Sequence, residues 1–173
     1  MMSVKRYLCF TLLFMVFLCI CGCPFESKFP LSQCSEANID KGLLGTWRLE
    51  PEKGEPAGTL TIYRFNDHEY VILAKGNDEE DTDVIRSFST NINGHQFLNI
   101  QDINRSRGKK RKWEFINYSV SDNKLVLKVV LGDVFKKKRF ASSKELFTFV
   151  QENLKNEALY GKNNAQTFRR LDL

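Results

Sequence analysis

From residue 43 onward, apolar and polar positions alternate in short runs, each closed off by Gly, Pro, Asn or Asp. Runs of this kind, rich in Val, Ile, Thr, Phe, Tyr or Trp, predict half-buried β-strands. They fall at 44–50, 59–65, 69–75, 84–90, 95–103, 112–120 and 124–131. The last of these alternates most cleanly. Leu125, Leu127, Val129 and Leu131 share one face, and Lys124 and Lys128 lie on the other. Asn66-Asp67, Asn93-Gly94 and Asp122-Asn123 are tight-turn signals, so neighbouring strands should join as antiparallel hairpins.

Past residue 140 the period changes. Ser142 and Glu145 have the three-residue spacing of a capping box. Leu146, Phe147, Phe149, Val150 and Leu154 follow at helical spacing, which predicts one amphipathic helix over 143–156. A last strand follows at 165–171. Eight strands in meander order, with one helix before the last, predict a mainly β fold: an eight-stranded antiparallel up-and-down barrel. Closure removes the unpaired edges that an open sheet would expose. Eight strands enclose either packed side chains or one small ligand. No repeat, low-complexity segment or second domain is visible.

The first 23 residues follow a different pattern. Lys5 and Arg6 precede Tyr7 to Ile20, a run of 14 residues in which only Thr11 is not apolar. This has the form of a secretory signal over 1–22, and the run is too short to span a hydrocarbon core of ~30 Å. Ile20-Cys21-Gly22-Cys23 resembles the bacterial lipobox. The resemblance implies cleavage after Gly22, a diacylated (palmitate-type) Cys23 and acylation of the new amino group. Several buried chains anchor stably, each CH₂ contributing ~0.8 kcal/mol. Pro24 rather than Asp follows, which by the enterobacterial sorting rule points to the outer membrane. Two other readings stay open: a simple secretory signal with neighbouring cysteines, and a eukaryotic signal with Asn104-Arg105-Ser106 and Asn117-Tyr118-Ser119 as glycosylation acceptors. Residues 23–42 carry Pro24, Ser27, Pro30, Ser32, Ser35 and Gly42 without a period. They predict a lipidated, flexible tether, reaching roughly 25 Å, before a barrel domain at 43–173.

Charge adds little. The chain carries 26 basic and 21 acidic side chains; without residues 1–22 the balance is 24 against 21. That excess, in an exported chain, gives no argument for nucleic acid. The remaining 151 residues suffice for one domain that buries about two-thirds of its unfolded surface. With Cys23 acylated, only Cys34 is left, so no internal disulfide can form.

Gly45-Thr46-Trp47, at the start of the first strand, resembles the Gly-x-Trp opening of lipocalins and the wider calycin group. That resemblance implies a barrel whose closed end is plugged by Trp47, with Arg169 or Arg170 packed across it as a structural partner. Residues 43–171 also resemble small bacterial lipoproteins described as lipocalin-like. Two features depart from lipocalins proper: the Thr-Asp-Tyr motif is missing, and the helix precedes the last strand.

Strand parity sorts the loops. Those at 66–68, 91–94 and 121–123 are short and lie at the closed end. The others are long and charged. The loop after the first strand carries Glu52, Lys53 and Glu55, and that after the third carries Asp78 to Asp81 and Asp83. The loop after the fifth carries Arg105, Arg107, Lys109, Lys110, Arg111 and Lys112, and that after the seventh carries Lys136, Lys137, Lys138 and Arg139. The basic residues are candidates for capturing an anionic envelope partner, such as a lipid headgroup or cell-wall polymer. Since the tether enters the first strand at the closed end, this mouth should face away from the anchoring membrane unless the leash bends back.

Little in the sequence carries chemistry. His68 and His95 sit in or beside turns, and no metal-spaced cluster forms with Cys34. Residues 78–83 lack the glycine and terminal glutamate of a calcium loop. No nucleophile elbow or phosphate-binding glycine loop occurs, so neither catalysis nor a cofactor is expected. Fourteen Phe, five Tyr and two Trp leave ample aromatic surface. Phe97, Trp113 and Phe115, on strands, are candidates for the wall of a pocket holding a small hydrophobic or anionic amphipathic ligand. The alternative is a filled barrel that contacts other envelope components through its surface. Oligomeric state is not legible.

Overall fold

The computed structural model describes residues 23–50, 58–76, 82–103, 111–136, 138–161 and 164–171. Eight strands run in chain order around a closed antiparallel barrel. They are β1 (Gly45–Leu49), β2 (Thr59–Arg64), β3 (Tyr70–Lys75), β4 (Thr82–Ile92), β5 (His95–Asp102), β6 (Glu114–Ser121), β7 (Lys124–Val129) and β8 (Ala165–Arg170). β8 closes the ring between β7 and β1, with Arg48 opposite Arg169 and Leu49 opposite Phe168. The predicted mainly β fold with one helix is the observed one.

β4 continues to Ile92, beyond the expected residue 90, because Asn93 (φ 52°) and Gly94 (φ 85°) make the whole turn. Left-handed φ at both central residues is what a tight hairpin requires. The helix α1 (Ser143–Glu152) stops short of residue 156. The Glu145 amide donates to Ser142 Oγ (3.3 Å), and Glu145 Oε2 accepts from the Ala141 amide (2.9 Å), so the helix starts where its capping residues dictate.

Residues 24–42 differ from the flexible tether expected of them. They form a strap across the outer wall. Pro24 bridges to Leu131, the Phe25 amide donates to the Val130 carbonyl (2.9 Å), and Ser27 bridges to Trp113. Leu31 is buried, and its amide donates to Asn99 Oδ1 (2.7 Å) on β5. Ser32 and Thr90 share a hydroxyl hydrogen bond of 2.6 Å. The strap then folds under the barrel floor through short 3₁₀ turns at Cys34–Glu36 and Lys41–Leu43. Its order comes from contacts far along the chain, which local pattern cannot reveal.

Two hydrophobic cores result. One fills the barrel: Leu43, Trp47, Ile62, Tyr70, Ile72, Leu98, Tyr118, Leu125, Leu127 and Phe168. The other lies outside it, where the strap and α1 cover β4 to β7: Leu31, Ile92, Phe97, Phe115, Val130, Phe135, Leu146, Val150 and Leu159.

Candidate functional site

The floor of the barrel is built around the Gly-x-Trp segment. The Trp47 ring is fully buried, and its indole N–H donates to the Leu43 carbonyl at 2.8 Å. The Arg170 guanidinium sits 4.2 Å from the ring centroid. It donates to the Leu44 and Gly42 carbonyls, each at 2.5 Å. A cation held over an indole face in this way contributes about 0.5–2 kcal/mol. Gly45 has φ 124°, and a Cβ there would come within 2.8 Å of Arg170 Nη1, so glycine is required. Arg169, expected as a possible member of this plug, faces outward instead and pairs with Glu50. Successive strand residues point to opposite faces, so only one of the two arginines can reach Trp47.

At the floor, tyrosine hydroxyls tie the strap to the barrel. The Asp40 amide donates to Tyr70 Oη (2.6 Å), and Tyr118 Oη donates to Asp40 Oδ2 (3.2 Å). Ser89 Oγ donates to the Asn38 carbonyl (2.8 Å). Burial pushes both tyrosine pKa values up, and the Asp40 charge raises that of Tyr118 further.

Phe97, Trp113 and Phe115 do not line this interior. Leu98 and Ile116, their sequence neighbours, face inward, so Phe97 and Phe115 face outward. Both are buried under the strap and α1, and Trp113 packs edge-on against Phe88 with ring centroids 5.3 Å apart. The expectation of a ligand wall from these three therefore has to be corrected: they build the outer core. Apolar residues on both faces of β5 and β6 were the signal that each face is covered.

On the strap side, Cys34 lies beside Glu69 and Arg86. Burial, and then the Glu69 charge, push its thiol pKa up. Burial alone would raise the Glu69 carboxyl too, but hydrogen bonds from Arg86 and Asn66 outweigh it and leave the pKa below the ordinary value. Arg86 also lies over the Trp113 ring, at 5.7 Å. Glu69 and Arg86 form an ion pair within the barrel wall, and the strap residue Cys34 lies against it.

Of the basic mouth residues, Arg105, Arg107, Lys109, Lys110 and Lys137 lie outside the described residues. Arg111, Lys112, Lys136, Lys138 and Arg139 are exposed. Lys112 Nζ is 2.5 Å from Glu26 Oε2, and Lys136 Nζ is 2.7 Å from Asp133 Oδ1. Lys138 Nζ lies 5.5 Å from the Phe149 ring centroid. A surface cleft of about 480 Å³ runs between Lys138, Arg139, Phe140, Lys144 and Phe149. A second, of about 400 Å³, opens under the floor between Glu36, Asn38, Asp40, Asn91 and Gln96.

Cys23 is exposed, and its carbonyl accepts from the Gly132 amide at 2.9 Å, just past the mouth end of β7. Among the described residues there is no metal-sized group of His, Cys, Asp and Glu, and no helix long and apolar enough to cross a membrane. No family model matches the chain, and no curated protein or solved structure matches it either.

Proposed function

We propose that this chain is a non-catalytic bacterial envelope lipoprotein, acylated at Cys23, whose lipocalin-like barrel is filled and acts through its surface. The observation that carries this reading is the packing of the barrel. Trp47, Tyr70, Leu98, Tyr118 and Leu125 occupy the space that a carried molecule would need, each 4% exposed or less. The aromatic residues suited to a ligand wall serve the outer core instead. Capture of a small hydrophobic or anionic amphipathic ligand inside the barrel would require these side chains to move apart, against the cost of opening a packed interior.

Mass spectrometry of the protein extracted from membranes in detergent tests both halves. A denatured mass that starts at Cys23 and carries acyl groups is expected, with no further mass retained under native conditions. A lipid-sized mass held natively and lost on denaturation would replace the filled barrel with a carrier. A Cys23→Ser variant that still labels with palmitate and fractionates with membranes would overturn the anchor.

A further inference from the structure

The strap reverses the orientation that its attachment point implies. It enters β1 at the floor, but it begins at the mouth. Cys23 is held by Gly132, Phe25 by Val130, and Ser27 by Trp113, all at the mouth ends of β7 and β6. From there the strap descends the outer wall to Leu31 against Asn99 and to Asp40 beneath the barrel. A chain anchored at Cys23 is therefore anchored at the mouth rim. No loose leash separates the anchor from the fold.

That rim has the chemistry of a membrane-facing surface. On the side of the rim nearest Cys23, the described residues of segments 23–28, 111–114 and 131–139 carry Lys28, Arg111, Lys112, Lys136, Lys138 and Arg139 against Glu26, Glu114 and Asp133, while Glu50, Asp83 and Asp102 lie at the mouth ends of other strands. Beside them is a cluster of rings. Phe25 stacks on Phe135 with centroids 3.7 Å apart, and Phe140 and Phe149 lie 5.4 Å from one another, with Phe149 5.1 Å from Phe135. Phe25, Phe140 and Phe149 are half-buried, and the cleft between Lys138, Arg139, Phe140 and Phe149 opens on this cluster. Basic residues held next to a lipid anchor attract anionic headgroups over a screening length of about 8 Å at physiological salt. Acyl chains and a basic patch are the two signals that together make anchoring stable.

We infer that the barrel sits mouth-down, with the basic rim around Cys23 seated on the anionic headgroups of the membrane that holds its own acyl chains. The floor, with the exposed Tyr63 and Phe65 at the end of β2, then points away from that membrane. The inference rests on acylation at Cys23.

The test uses the full chain, processed in a bacterial host and reconstituted into phosphatidylethanolamine vesicles containing phosphatidylglycerol and a headgroup-linked nitroxide lipid. Fluorophores are placed one at a time at Lys138→Cys on the rim and Asp67→Cys on the floor, both in a Cys34→Ser background. Quenching at the rim should exceed that at the floor severalfold. Exchanging phosphatidylglycerol for phosphatidylcholine, or combining Lys112→Glu, Lys136→Glu and Arg139→Glu, should reduce rim quenching at least twofold with the acylated mass unchanged. An acylated protein quenched equally at both ends, or more at the floor, overturns the orientation and leaves the lipoprotein reading standing. Rim quenching that ignores both lipid charge and the triple reversal overturns the headgroup contact. A protein without acyl mass that leaves the vesicles overturns the anchor, and the orientation with it.

Discussion

The two cores of this protein share a wall but differ in what closes them. The barrel core is enclosed by continuous hydrogen-bonded strands, and its floor is sealed by Trp47 and Arg170. The outer core is enclosed by the strap and α1, which meet β4 to β7 through side chains and a few isolated bridges. Loss of the strap would take Leu31 and Phe25 out of the outer core without breaking a pairing between the eight strands. β5 and β6 are thus central layers of the molecule, buried on both faces, whereas β1 and β2 have an outer face open to solvent: Arg48 and Tyr63 are exposed.

Trp47→Ala should have the largest effect on the two cores. It removes a fully buried ring, its hydrogen bond to Leu43 and the seat of Arg170. A loss of about 3–5 kcal/mol in urea unfolding is expected, with both cores lost together. A change under ~1 kcal/mol would mean that the plug is incidental. Leu31→Ala should cost about 2–5 kcal/mol and act first on the strap. Limited proteolysis between residues 24 and 40 should quicken before the barrel unfolds. Cleavage no faster than in the parent would show that strap and barrel open only as one unit.

Alkali compares the cores through their tyrosines. Tyr118 in the barrel has its pKa raised by burial and by Asp40. Tyr160, packed on the outer core, is pushed up to about 12 by burial. A phenol whose folded pKa exceeds its unfolded value near 10 contributes stability that is present below pH 10 and lost as pH rises. Stability should therefore fall between about pH 10 and 12, by at most ~1.4 kcal/mol per pH unit for each group. Tyr160→Phe should make that fall shallower throughout. It removes a buried hydroxyl without a hydrogen-bond partner, so it should cost little at neutral pH. An unchanged slope would assign the alkaline loss to other groups. The smallest expected effect is Lys112→Ala, which opens the exposed pair with Glu26. Thermal unfolding should register under ~1 kcal/mol, reduced further by salt.

How far the sequence reveals these features depends on the range of the forces behind them. Strands, turns and the helix start are legible because alternation, Asn93-Gly94 and the Ser142–Glu145 pair act within a few residues. The choice between Arg169 and Arg170 is a matter of parity, and it needed the register of β8 against β1 to place Arg170 opposite Trp47. The outward facing of Phe97 and Phe115 is hidden in the sequence for a related reason. In a strand apolar on both faces, period alone does not say which side is the interior. The strap is illegible because its scattered apolar residues find partners far along the chain, Phe25 in Phe135 and Leu31 on the outer core. Pro24 and Pro30, which read as marks of a linker, are compatible with an extended segment that pairs only at isolated bridges.

The β1–β8 seam has a kinetic consequence. Arg48 meets Arg169 across nearly the whole domain, so the ring cannot close until the last strand is available. The outer core waits likewise for α1, because Leu31 shares it with Leu146 and Val150. A chain dominated by such distant pairings folds on the millisecond-to-second scale rather than in microseconds. If the chain is exported as proposed, that delay would keep its leading residues extended during passage and leave both cores to form on the far side.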